Sequence, residues 1–119
     1  MERIQLEEGL RLFNVGSFYD CHDLLEDLWL QESSDQRPFL QGIIQAAVAF
    51  FHHEEGRLGA SRSMLQRSIE KLEPYPGDYI GVDLESFRMA LVRWKDTLDK
   101  AISSGVQDPV SLQPPQINF

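Results

Sequence analysis

The chain has little cysteine, few basic residues and no long apolar run, and each shortage excludes a class of protein. A single cysteine, Cys21, rules out an internal disulfide framework and is typical of a reducing compartment. The 11 Lys and Arg against 19 Asp and Glu give a net charge of −8, which argues against nucleic-acid binding. The longest nearly uncharged stretch, residues 38–51, is too short to span a bilayer, and the first residues show no signal pattern. We therefore expect a cytoplasmic protein with neither nucleic-acid nor membrane partners.

The apolar residues that are present recur at helical spacing along most of the chain. No segment alternates apolar and polar residues over more than a few positions, so the pattern indicates helices throughout. Ser17 and Asp83 are predicted to cap the second and fifth helices. We expect an all-α fold, a single compact domain of about five helices over residues 3–15, 18–31, 38–56, 59–72 and 84–102.

The last fourteen residues are predicted to be extended, because their prolines prevent a helix. The helical domain is thus assigned to residues 1–105 and the tail to residues 106–119. The tail is either frayed or packed as a strap on the same domain, and its apolar side chains favour the strap. Four of them could anchor it: Val110, Leu112, Ile117 and Phe119.

The third helix is apolar around almost its whole circumference. Its polar side chains Gln41, Gln45 and His52 fall within an arc of about 40° at 100° per residue. Gly42 and Ala49 flank this stripe and permit close backbone approach. A helix of this kind belongs in the middle of a domain, so its polar stripe is expected to find partners inside the protein.

The second helix carries a polar intrusion of its own. His22 lies on the apolar face with Trp29, and Glu26 lies one turn on at the edge of that face. The aspartates of this helix fall on the opposite, solvent side. Antiparallel packing of the second and third helices would bring His22 and Glu26 close to Gln45 and His52.

Three interpretations of this cluster remain open. The first is a buried hydrogen-bond network, in which a neutral imidazole bridges Glu26 and a glutamine amide and Trp29 packs in the core. The second is a ligand pocket, and the third is a metal site with His22, Glu26 and His52 as candidate ligands. Glutamine is a poor ligand for transition metals, so no cofactor is predicted and a divalent metal is the minor alternative. The pocket would be lined by His22, Glu26, Gln41, Gln45 and His52.

Three further residues are assigned structural roles. Cys21 shares a face with leucines and has no base beside it, so it is predicted to be a core residue. Trp94 is predicted to be core by its spacing on the fifth helix. His53 points away from His52 and is predicted to belong to a solvated cluster at the end of the third helix.

The two polar helices together resemble a bacterial family catalogued as domain of unknown function 309. The resemblance rests on a His-acid-x-x-Glu-x-x-Trp run, then Gln-Gly-x-x-Gln, then a histidine, then Gly-Ala opening the next helix. Asp23 stands where the family usually has Glu, and the asparagine usual before Gly-Ala is missing. The resemblance implies a compact all-helical protein and no agreed activity. The pattern positions are His22, Glu26, Trp29, Gln41, Gly42, Gln45, His52, Gly59 and Ala60.

Two functional hypotheses follow. The main one is a non-enzymatic interaction or scaffold protein, with a homodimer possible, in which the network of His22, Glu26 and Gln45 fixes helix packing. It predicts that Trp29→Ala costs about 3–5 kcal/mol as a core truncation. The alternative is a small-ligand or metal-assisted hydrolytic pocket, with His22 or Glu26 as general base or ligand and His52 as a third group.

Overall fold

Five helices and one short hairpin form the protein in a computed structural model that describes residues 1–119. The prediction of an all-α single domain with five helices is confirmed. None of the helices combines the length and the apolarity that a membrane crossing requires. The elements are α1 (Arg3–Asn14), α2 (Phe18–Gln31), α3 (Gln36–Glu54), α4 (Leu58–Leu72), β1 (Asp78–Tyr79), β2 (Val82–Asp83) and α5 (Leu84–Ser103).

The helix ends follow local chemistry at most positions. Gly16 adopts a φ of 83° after α1, a left-handed conformation that glycine accepts without steric cost. Asp83 caps α5 as predicted, since its carboxylate accepts a hydrogen bond from the Ser86 amide at 3.1 Å. Ser17 makes no side-chain cap on α2, so that part of the prediction is wrong.

The hairpin between α4 and α5 was not predicted. Its two strands pair antiparallel, with Asp78 opposite Asp83 and Tyr79 opposite Val82. Ile80 and Gly81 form the turn with φ values of 45° and 77°, and two positive values in succession give the twist that a two-residue hairpin needs. Ile80 stands where Asn is usual in such a turn, and a β-branched residue in this conformation is an outlier, so the sequence gives no hairpin signal here.

The core is built around α3, which packs against α2 on one side and α4 on the other. The central position predicted for the third helix is therefore confirmed. At the closest approach of α3 and α4, the buried Ser68 hydroxyl donates to the Gly42 carbonyl at 2.7 Å. The buried side chains of α3 are Phe39, Leu40, Ile43, Ala46, Ala47, Ala49, Phe50 and His53.

Residues 106–119, which we call the strap, run extended across the helices. The Trp94 indole N–H donates to the Gln113 carbonyl at 3.0 Å, and the Asp83 amide donates to the Asn118 carbonyl at 2.9 Å. Among the expected anchors, Ile117 is buried and Val110 is half-buried, whereas Leu112 and Phe119 are exposed.

Candidate functional site

His22 and Glu26 form a pair at the protein surface. The Nε2 atom of His22 lies 2.8 Å from Oε2 of Glu26, and the two side chains are 30% and 47% exposed. The expectation of a buried network does not match this geometry. The buried face of α2 is formed by Phe18, Cys21, Leu25 and Leu28, and its centre lies about 80° around the helix from His22.

His22 and His52 come together in one groove between α2 and α3, as antiparallel packing predicted. This groove, called here the aromatic groove, has a volume of about 220 Å³ and almost entirely apolar walls. The Tyr19 ring lies 6.1 Å from the His22 ring and 5.8 Å from the Phe51 ring, centroid to centroid. The lining residues are Phe18, Tyr19, His22, Val48, Phe51 and His52.

His52 is held by an arginine from the following turn. The Arg57 Nε–H donates to Nδ1 of His52 at 3.0 Å. Partial burial and the nearby Arg57 charge both lower the pKa of His52 below its ordinary value. The imidazole is therefore kept neutral at one end of the groove.

Gln41 and Gln45 lie apart from this groove and face α4. They line a second depression, called here the polar cleft, with a volume of about 320 Å³. The Oε1 atom of Gln45 is buried there without a donor. The predicted cluster is thus divided between two sites that open along the same stripe of α3. The other residues of the polar cleft are Arg67, Glu70 and Lys71.

Trp29 packs against the core but is only partly buried, so it is not the core residue that was predicted. Its ring is half-buried, and the Arg37 guanidinium covers it at 3.9 Å from the ring centroid. The indole Nε1 is buried without an acceptor. Arg37 was missed in the sequence, although it precedes Gln41 by four residues and so continues the same stripe.

The three candidate metal ligands do not form a ligand set. No three His, Cys, Asp or Glu side chains of the protein converge closely enough to hold a metal ion. His22 pairs with Glu26, and its Nδ1 atom lies 3.5 Å from Oδ1 of Asp23.

His53 is buried, so the prediction of a solvated cluster is wrong for this residue. Only 7% of its surface is exposed, and its ring packs edge-on against Trp94 at 4.9 Å. Its Nε2 atom accepts a hydrogen bond from the Val110 amide at 2.9 Å, and burial lowers its pKa. The strap covers this part of α3, and helical periodicity alone does not reveal that cover.

Cys21 is a core residue, as predicted. The side chain is fully buried, and burial raises the pKa of its thiol to about 12. The thiol is therefore neutral and shielded at physiological pH, which excludes a thiolate at this position in the folded state.

Comparison with known proteins identifies the family. The sequence profile described as domain of unknown function (DUF309) matches residues 6–64, about half of the chain. The chain belongs to this family. The DUF309 profile covers α1 to the middle of α4, so it includes every residue of the predicted pattern.

The relatives of this DUF309 chain are themselves uncharacterised. An uncharacterised protein of Aquifex aeolicus (strain VF5) is 26% identical over 87 residues, which are 72% of this chain and 26% of the relative. The uncharacterised protein YpuF of Bacillus subtilis (strain 168) is 30% identical over 57 residues, which are 47% of this chain and 33% of the relative. The matched segments thus span only about a quarter to a third of these relatives.

The positions of the DUF309 pattern divide into packing and surface roles. Gly42 packs against Leu72, whereas Gly59 meets no other atom within 4 Å of an added Cβ. Asp23, the residue that departs from the family pattern, is 61% exposed, so the shorter carboxylate there disturbs no packing. The polar pattern residues are half-buried or exposed, namely His22, Glu26, Trp29, Gln41, Gln45 and His52.

Proposed function

We propose that this DUF309 chain is a non-enzymatic protein-binding module that docks a basic segment of a partner protein on the aromatic groove. The observation that carries the proposal is the position of His22 and His52. Both belong to the family pattern, and both line an apolar groove that is open to solvent beside an acidic helix face. Packing of the core alone does not require polar residues at such positions.

Apart from Arg57, which contacts His52 and lies over the Phe51 ring, the charge around the groove is negative and favours a basic occupant. Glu26 and three aspartates occupy the exposed side of α2, and Glu26 and Asp23 contact only His22 among the basic side chains. Like charges three or four residues apart on a helix repel by about 0.2–0.5 kcal/mol per pair. A partner that supplies Lys or Arg would relieve this repulsion. The aspartates are Asp20, Asp23 and Asp27.

The apolar walls favour a side chain with a long aliphatic stem. Tyr19 is 57% exposed at the rim and its ring faces the Phe51 ring across the groove. Arginine and lysine bury their methylene stems on apolar surface and place their charge over aromatic rings or beside carboxylates. The groove and the neighbouring acidic face therefore suit the two ends of one basic side chain.

The contacts of the two histidines leave only one ring nitrogen for the alternative function, hydrolysis. Nε2 of His22 faces Glu26, and its Nδ1 faces Asp23. Nδ1 of His52 accepts from Arg57. A general base needs a free nitrogen within reach of the proton that it removes, and both nitrogens of His22 and Nδ1 of His52 already have partners. Only Nε2 of His52 is left without one.

A cytoplasmic location is part of the proposal. The only cysteine of the chain is a free, buried thiol. Proteins of reducing compartments keep their cysteines in this state, whereas small secreted domains use them in disulfides.

The proposal is tested with a synthetic peptide of alternating Arg and Leu residues, titrated into the ¹⁵N-labelled chain and followed by NMR. We expect saturable shifts at Tyr19 and at the groove residues of α3. Replacing the acidic face with Asp20→Asn, Asp23→Asn and Asp27→Asn should weaken binding about ten-fold, equivalent to about 1.4 kcal/mol. An acidic peptide of the same length should not bind.

The matched control removes three negative charges elsewhere, through Glu54→Gln, Glu55→Gln and Asp96→Asn. These side chains are exposed and lie outside the groove. The control should bind the peptide almost as tightly as the unmodified chain. Equal weakening in the two triple variants, or shifts spread over the whole acidic surface, would show general charge attraction and refute the proposed site.

A further inference from the structure

The polar cleft between α3 and α4 is a second site, and it shares no residue with the aromatic groove. None of its five lining residues is apolar. Its volume of about 320 Å³ lies at the lower end of the usual range for ligand sites, about 300–1,000 Å³. Gln45 and His52 are seven residues apart on α3, which separates the two sites by about 10 Å along the helix.

The lining of the cleft carries two positive charges and the one negative charge of Glu70, a net charge of +1 in an acidic protein. Arg67 and Lys71 lie one turn apart on α4, and neither forms an ion pair. On the same helix, by contrast, Arg62 pairs with Asp99 at 2.8 Å. Like charges at this spacing destabilise a helix, and the single negative charge of Glu70 offsets only one of the two, so a bound anion would stabilise this arrangement.

The two glutamines add neutral hydrogen-bonding groups to the cleft. The buried Oε1 of Gln45 has no donor, and the amide Nε2, the other end of the group, is free to donate. Gln41 lies one turn before Gln45 on the same side of α3 and is half-buried. The cleft therefore combines amide donors on one wall with cationic donors on the other.

We infer that the polar cleft binds a small phosphorylated ligand through its phosphoryl group. A phosphoryl monoester carries about −1.5 to −2 charges near pH 7 and three acceptor oxygens, which match two cations and the amide donors. Arginine grips such oxygens with two parallel N–H groups, while lysine acts as a point charge. The inference goes beyond the proposed protein-binding function and does not depend on it.

Glu70 gives the inference a second, opposite test. Its carboxylate lines the cleft, and its Oε1 atom accepts from Nε2 of Gln66 at 2.7 Å. Because this negative charge repels an anion, Glu70→Gln should tighten phosphate binding, whereas loss of the cations should weaken it. A purely structural role for the cleft does not predict opposite effects of the two changes.

The experiment is an NMR titration of the ¹⁵N-labelled chain at constant ionic strength, with inorganic phosphate and glycerol phosphate in separate arms. We expect saturable shifts of the Gln41 and Gln45 side-chain amides with both probes, and tighter binding of the ester if the ligand is a metabolite. Arg67→Ala with Lys71→Ala should weaken binding at least about ten-fold, and Glu70→Gln should tighten it about three-fold.

The matched control is Arg93→Ala with Lys100→Ala, which changes the net charge equally at exposed positions outside the cleft. It should leave binding within about two-fold of the unmodified chain. Equal weakening in both double variants, or weaker binding by Glu70→Gln, would overturn the inference. Citrate binding as tightly as phosphate would overturn the choice of a phosphoryl group. If the variant with Arg67→Ala and Lys71→Ala does not fold, the Glu70→Gln variant alone tests the inference, through its expected tighter binding of phosphate. Binding of the basic peptide should not change in any of these variants.

Discussion

The two tryptophans of the chain occupy unlike environments. Trp94 is 2% exposed, packs against Phe50 and His53, and donates its indole N–H to the strap. Trp29 is half-buried under the Arg37 guanidinium, and its indole N–H is buried without an acceptor. Truncation of Trp29 therefore loses less buried apolar surface than truncation of Trp94, and it also removes an unsatisfied polar group.

We predict that Trp94→Ala destabilises the fold by about 3–5 kcal/mol and Trp29→Ala by about 1–2 kcal/mol. The difference reflects the fraction of each ring that is removed from water. Urea unfolding monitored by circular dichroism measures both costs. Equal costs would mean that Trp29 is as much a core residue as Trp94, which is what its helical spacing alone suggested.

His53 makes the stability of the protein depend on pH. Burial lowers its pKa, and its Nε2 accepts from the Val110 amide only while that nitrogen is unprotonated. The unfolded chain binds the proton near the ordinary value of 6.5, whereas the folded chain resists protonation until a lower pH. Stability is therefore full above the unfolded pKa and decreases as the pH falls through it.

We predict that the unfolding free energy falls between pH 7.5 and pH 5.5, about one unit either side of the ordinary histidine pKa, and that His53→Gln reduces this fall. Glutamine retains an acceptor oxygen at the place of Nε2 but does not titrate. His52 has a lowered pKa and Glu54 a raised one, and both contributions remain in the variant. The difference between the two pH profiles thus isolates His53. Parallel profiles would contradict the assignment.

At the scale of elements, the strap is held to the helices by hydrogen bonds from several of them. Asn14, at the end of α1, donates from Nδ2 to the Ile117 carbonyl at 2.8 Å and accepts from the Ile117 amide at 2.7 Å. The Gln116 side chain also donates to the Asn14 carbonyl at 3.0 Å. Ile117 is buried between these contacts, so α1 and the strap stabilise each other.

We predict that Asn14→Ala destabilises the fold by about 1–3 kcal/mol, because both backbone groups of Ile117 lose their partner. Hydrogen exchange at the Ile117 amide should become faster by the factor that corresponds to this loss of free energy. Leu112→Ala serves as the control, since this strap side chain is exposed and makes no comparable contact. If both variants exchange and unfold like the unmodified chain, the strap does not contribute to stability in solution.

At the scale of the whole molecule, the close approach of α3 and α4 sets the arrangement of both candidate sites. A Cβ atom added at Gly42 would lie 2.5 Å from Cδ2 of Leu72, and Leu72 is fully buried. The two helices can meet at this distance only because position 42 has no side chain. The polar cleft lies beside this contact, since Gln41 and Lys71 are the neighbours of the two residues in sequence.

We predict that Gly42→Ala destabilises the protein by about 1–3 kcal/mol, because the helices or the Leu72 side chain must shift. Gly59→Ala is the matched control, since a Cβ there meets nothing within 4 Å. Alanine is the better helix former, so the control should stabilise by up to about 1 kcal/mol. Thermal unfolding of both variants checks the pair, and a neutral Gly42→Ala would contradict the packing.

Much of the fold was predictable because helical periodicity is a local property. The five helices, the central α3 and the Asp83 cap all follow from spacing and capping residues. The hairpin escaped prediction because Ile80 adopts a turn conformation that its residue type disfavours. Four residues that line the two sites were found from the sequence, namely His22, Gln41, Gln45 and His52. The other lining residues, among them Tyr19, Phe51, Arg67 and Lys71, were not, since they join the sites through packing.

The order of residues alone settles which side chains share a face of one helix, because 3.6 residues per turn is a property of the backbone. It placed Gln41, Gln45 and His52 on one stripe of α3 and the aspartates of α2 toward solvent. How deeply each helix face is buried depends on the elements that pack against it. Those elements come from distant parts of the chain. The tertiary structure therefore left His22 at the surface and covered His53 with the strap. It also placed His52 in a groove with α2, and Gln41 and Gln45 in a cleft with α4.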